Sequence, residues 1–201
     1  MARSNYLEKK FIFLMILSFI LYILVIFSTY LSSIFIRYKF VKPPIVRDLL
    51  WECLPIMNLF WISEVIIGLS VFVLIFYAIK EDKYYIPYFW IMVSTFQLVR
   101  AVLIILTPLG IPSSYSGFLI GNETMMAFGT YPSGHLAYPF LTFLLTKKPI
   151  ALFFSFLVAT ILILSRGHYT IDLVGTITLG FSIYVLFEFY LKKYFIRRSL
   201  K

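Results

Sequence analysis

Three polar groups interrupt an otherwise apolar chain. The first is Pro132-Ser133-Gly134-His135, at the head of an apolar run. The second is His168, with Asp172 four residues later, in "GHYTID". The third is Arg100, deep inside "QLVRAVLIILTPL". His135 and His168 are the only two histidines of the chain.

On a helix, a spacing of four puts His168 and Asp172 on one face and within contact. A carboxylate that accepts from one ring nitrogen fixes the tautomer and leaves the other nitrogen as nucleophile or base. The bland alternative is a pair that satisfies itself inside a bundle, but ionisable groups within membrane segments are costly and mark function by default. At the other element, the free N–H groups of a helix start attract anions. Gly134 permits close backbone approach, and Ser133 either caps the helix or donates to a phosphate oxygen. Arg100 needs an anion: Glu64, toward the outer end of the second apolar run, or a substrate phosphate, which suits a forked guanidinium. Arg166 binds phosphate or sits among lipid headgroups, and Glu123 and Tyr131 are weaker candidates. The chemistry these groups suit is phosphoryl transfer. One imidazole attacks phosphorus, the second protonates the leaving oxygen, and cationic groups hold the remaining oxygens. The scheme requires no metal and no other cofactor.

What must position these groups is set by composition. Of the 201 residues, 61% are hydrophobic and 13% charged, with a mean hydropathy of +0.93. A soluble domain is about a quarter charged, so the surrounding solvent of this chain is lipid. Six runs approach the roughly 20 residues that a bilayer span needs: Phe11 to Ile36, Leu59 to Ile79, Ile86 to Pro108, Tyr131 to Thr146, Pro149 to Ser165 and Tyr169 to Leu191. In lipid they must be helices. The expectation is an all-α, polytopic membrane protein, a six-transmembrane-helix bundle forming one domain over residues 1–201. The basic N-terminal start followed by a long apolar run reads as a retained first helix, not a cleaved signal.

The net charge of +9 lies between the apolar runs, which marks topology beside anionic headgroups and argues against a nucleic-acid partner. Arg3, Lys9, Lys10, Lys80, Lys83, Lys147, Lys148 and the basic tail fall on one side. Arg37, Lys39, Lys42, Arg47 and Arg166 fall on the other. The positive-inside rule then places both termini in the cytoplasm and brings both histidines to the outer face. Cys53, the lone cysteine, pairs with nothing internally, and no zinc spacing is present.

"PSGH" and "HYTID" resemble the type 2 phosphatidic acid phosphatase superfamily over a core of about residues 55–191. That family's first motif, a lysine followed seven residues later by Arg-Pro, is absent. Where its third motif has an arginine, six residues before the histidine, this chain has Leu162. "GHYTIDLVGTI" is closer to the sphingomyelin synthases and related ceramide phosphotransferases. "KPPIVRD" and "VRAVLIILTPLGIP" are similar to that branch's Pro-Pro and arginine-containing elements. The resemblance implies that His168 forms a phosphohistidine, that Asp172 orients it, and that His135 assists the leaving and incoming alcohols. It also implies that Arg100 binds phosphate and that the site faces the extracytoplasmic side.

The expected function is a lipid phosphotransferase that moves a phospho-alcohol headgroup from a membrane phospholipid donor to a lipid alcohol acceptor, ceramide or diacylglycerol. Its rivals are a lipid phosphate phosphatase, in which water resolves the same intermediate, and a non-enzymatic lipid transporter with pH-responsive histidines. A rhomboid-like serine protease lacks its expected Gly-x-Ser-Gly order.

Overall fold

An amide without a partner is costly in hydrocarbon, so apolar segments of this kind close their hydrogen bonds within helices. The computed structural model describes residues 2–40, 44–110 and 131–196, and these form α1 (Ala2–Lys39), α2 (Leu49–Cys53), α3 (Phe60–Lys80), α4 (Tyr85–Leu106), α5 (Gly134–Thr146), α6 (Pro149–Leu164), α7 (Thr170–Leu186) and α8 (Lys192–Phe195). A π-helical turn, Phe187–Leu191, joins α7 to α8. No strand occurs among the described residues.

Each of the six predicted runs falls on a helix, but four are long and apolar enough to cross a bilayer: residues 7–36 within α1, then α3, α4, and residues 170–195. The expectation of six spans is met in length only by these. α5 has 13 residues and α6 has 16. At 1.5 Å per residue these are about 20 and 24 Å long, against a hydrocarbon core of about 30 Å. Their limits have local causes. Lys147 takes a left-handed conformation at φ 56° and ends α5, and Pro149 opens α6, where its missing N–H costs nothing. α4 stops at Leu106, before Pro108, as the crowding of a proline on its predecessor requires. α2 was not anticipated. Asp48 starts it, its carboxylate accepting the Leu50 N–H at 3.0 Å.

Short α5 is the centre of the bundle. Nine of its thirteen residues are buried, and it packs against α3, α4, α6 and α7. α1 lies outside, along α4, and presents Ile12, Phe13, Phe19 and Phe27 outward. One apolar cluster joins α4, α5 and the end of α7 through Tyr88, Phe89, Phe96, Leu141 and Phe187. A second joins α2, α3, α6 and the starts of α5 and α7 through Trp51, Phe60, Leu136, Leu162 and Leu173. The polar residues singled out from sequence border this second cluster.

At the opposite end stand lysines over aromatic rings. Lys10 lies over Tyr84, Lys83 over Phe11, Lys80 over Phe76, Lys148 over Tyr77 and Lys147 over Tyr184. Lys10 also donates to the Tyr194 carbonyl at 2.6 Å, which ties the start of α1 to α8.

Candidate active site

Two helix starts are stitched together here. Ser133 caps α5, its hydroxyl oxygen accepting the Leu136 N–H at 3.3 Å. Its own N–H donates to the Asp172 carbonyl at 3.2 Å. The Thr176 hydroxyl, one turn beyond Asp172 on α7, lies 2.7 Å from the Asp172 carbonyl and 3.0 Å from that of Ser133. These bonds hold the first turn of α5 against that of α7. They bring the rings of His135 and His168 to a centroid separation of 5.7 Å, with planes inclined at 64°.

His168 does not share a helix face with Asp172, as its spacing predicts. It lies two residues before α7, and Asp172 is the third residue of that helix. The carboxylate turns back over the helix start as one half of a capping box. Oδ2 accepts the Tyr169 N–H at 3.0 Å and stands 3.1 Å from Nδ1 of His168. The predicted contact is therefore present by another geometry. An ionised carboxylate only accepts, so Nδ1 carries the proton and Nε2 has a bare lone pair. Nε2 makes no hydrogen bond among the described residues. Burial holds the His168 imidazolium below the ordinary histidine range, outweighing the hydrogen bond and charge of Asp172 that favour it. The ring is thus neutral at pH 7.

His135 is half-buried. Its Nε2 is 2.9 Å from Oε1 of Glu64 on α3, and its ring meets Phe60 edge-on at 4.9 Å. Glu64, one of the two anions offered for Arg100, thus stands beside His135. Glu64 stands just after the first turn of α3, which packs on α5, and so reaches the helix start that carries His135. Arg100 comes instead from the last turns of α4, where its Nε donates to the Pro132 carbonyl at 2.7 Å. Its charge acts on both Asp172 and His168. Gly134 lies beneath both α4 side chains: a Cβ there would be in ordinary contact with Cζ of Arg100 at 3.5 Å and tight against Nε2 of Gln97 at 3.2 Å. Gln97, one turn earlier on α4, is a member of the site that the sequence reading missed.

The remaining candidates point elsewhere. Arg166, at φ 52°, sends Nη2 to the Trp51 carbonyl at 2.9 Å and so serves α2 rather than the histidines. Tyr131 packs on α7 at Gly175, where a Cβ would come within 2.5 Å of its ring. Glu123 lies outside the described residues. Among the described residues no three histidine, cysteine or acidic side chains form a metal-ligand group.

No protein-family model, curated protein or solved structure matches this chain. Its chemistry must be read from the geometry. A neutral imidazole with a bare Nε2 faces a second imidazole backed by a carboxylate, beside a guanidinium and a helix start. Such a group can attack an electrophile bearing negative charge and exchange a proton with the oxygen that departs.

Proposed function

We propose that this chain is a membrane lipid phosphotransferase of the sphingomyelin synthase-like kind. It would pass a phospho-alcohol headgroup from a glycerophospholipid to a lipid alcohol such as ceramide or diacylglycerol. The observation that carries the reading is the pairing of two imidazoles from separate helix starts, 5.7 Å apart, each held by its own carboxylate. In the first step Nε2 of His168 attacks phosphorus. The bond from phosphorus to the diacylglycerol oxygen breaks, and that oxygen takes a proton from His135. In the second step the acceptor hydroxyl gives its proton to His135 and attacks phosphorus, and the N–P bond breaks. Arg100 and the start of α5 hold the phosphate oxygens.

In this reading α5, shielded at the centre of the bundle, and α6, which turns Leu152, Phe153 and Phe156 outward, complete six crossings as short helices. Both termini lie in the cytoplasm, with the lysine end, and the histidines face the extracytoplasmic leaflet.

The test is purified protein in liposomes with headgroup-labelled phosphatidylcholine and ceramide or diacylglycerol. Transfer predicts a new labelled phospholipid that depends on the acceptor. It also predicts label on the protein, stable to base and lost in acid, as for a phosphohistidine. Release of a water-soluble phosphate ester with no new phospholipid would overturn transfer in favour of hydrolysis, and absence of both would remove the enzymatic reading.

A further inference from the structure

The turn that carries His168 is held from a direction that the mechanism does not use. Residues 44–57, including α2, run across it and touch it repeatedly. The Asp48 carboxylate accepts the Thr170 N–H on Oδ2 at 2.6 Å and the Thr170 hydroxyl on Oδ1 at 2.9 Å. The same group caps α2 through Leu50. The Trp51 ring stacks on Tyr169 with centroids 4.4 Å apart, while its carbonyl takes a hydrogen bond from Arg166. The Met57 N–H donates to the Leu164 carbonyl at 2.9 Å, and the Tyr169 hydroxyl donates to the Gly110 carbonyl at 2.7 Å. From Leu164 to Thr170, four residues around His168 are thus fixed by groups more than 50 positions away in the chain. The strap's other face is apolar and exposed, with Leu49, Leu54, Ile56 and Met57 outward.

We propose that Asp48 is a positioning residue, and that through it this strap sets the orientation of His168. The physical reason is the geometry of the capping box. Asp172 fixes His168 only if the first turn of α7 keeps its place, and the N–H of its first residue, Thr170, has no acceptor within the helix. Asp48 supplies that acceptor from outside. It also engages the hydroxyl of the same residue, so one carboxylate sets both the position and the rotation of the turn. Removal lets the 164–170 segment shift without disturbing the apolar packing of α6 and α7. A displacement of about 1 Å at a nucleophile can cost up to about 100-fold in rate.

The proposal rests on the role given above to His168, so its test has a readout independent of turnover. Protein labelled with ¹⁵N-histidine, in nanodiscs of phosphatidylcholine, reports the tautomer of His168, assigned by its loss in His168→Ala. The native protein should show Nδ1 protonated and Nε2 bare. Asp48→Ala should give averaged ring nitrogens, faster amide exchange over 164–172, and a turnover number lowered at least tenfold with little change in KM. Asp48→Asn keeps one acceptor oxygen and should fall between. Arg47→Ala, beside it, removes only an exposed pair with Glu52 and should leave all readouts as they were. If Asp48→Ala keeps the native tautomer and exchange rates, the proposal is wrong. If the native protein turns over neither lipid pair while the tautomer still depends on Asp48, the strap stands and the phosphotransferase reading falls.

Discussion

The two ends of this bundle use charge in opposite ways. At the histidine end four charged groups are directed at named partners from another element or turn. Asp172 is spent on His168, Glu64 on His135, Arg100 on the Pro132 carbonyl and Asp48 on Thr170. At the lysine end, six cations lie over aromatic rings, and the Lys192–Glu188 pair is a local contact of one turn. Directed groups depend on one another, and losing one leaves a buried polar atom stranded. Cations over rings are interchangeable, and each is worth little at an exposed position. Orientation is therefore concentrated at one end and spread thinly over the other.

The strongest test of that contrast is His168→Ala. Turnover in the liposome assay should fall to background, and the thermal unfolding midpoint in detergent should drop as well, because the buried Asp172 carboxylate loses its partner. Persisting transfer would show that the histidine end is not a site. His135→Ala comes next, with turnover lowered by about 10²- to 10⁴-fold, the range for losing a positioned acid and base.

Acidification probes the same pair. Burial lowers the folded value of His168 below its unfolded one, so the linked stability is in place above the ordinary histidine range near 6.5. It is lost as pH falls through the lower folded value. Activity should accordingly stay level to below about pH 6.5 before it drops. A loss centred above that range would contradict a neutral, buried nucleophile.

Packing effects are smaller. Gly175→Ala must displace the Tyr131 ring from a contact of 2.5 Å, and overpacking of this kind costs about 1–3 kcal/mol, measurable as a lowered unfolding midpoint. The smallest effect belongs to the lysine end. Lys148→Ala should cost about 0.5–1 kcal/mol at most and leave turnover unchanged. A large kinetic effect there would dissolve the distinction between the two ends.

The long apolar runs were legible because lipid imposes helix on any such stretch, and α3 and α6 match their predicted limits to within a residue at each end. The His168–Asp172 contact was legible from its spacing, although a capping box makes it rather than a helix face. Two kinds of feature were hidden. Glu64 and His135 meet across 71 positions, and only the packing of α3 on α5 brings them together. Gln97 carries no motif, and only the crossing of α4 and α5 places its amide against Gly134. α2 was hidden because five residues carry no periodicity. The capping role of Asp48 within the chain is local, but its hold on Thr170 is not.

Pro139 stands inside α5, four residues after His135. A proline has no N–H, so the carbonyl of His135 lacks the main-chain donor that a helix would normally offer it. The main-chain ladder is thus interrupted beneath this imidazole, while Glu64 and Phe60 hold its ring through side-chain contacts. A turn built this way can yield by small rotations without unwinding its neighbours. In the proposed reaction, that compliance would let one ring follow a proton between two different oxygen atoms while its counterpart on the facing turn stays still.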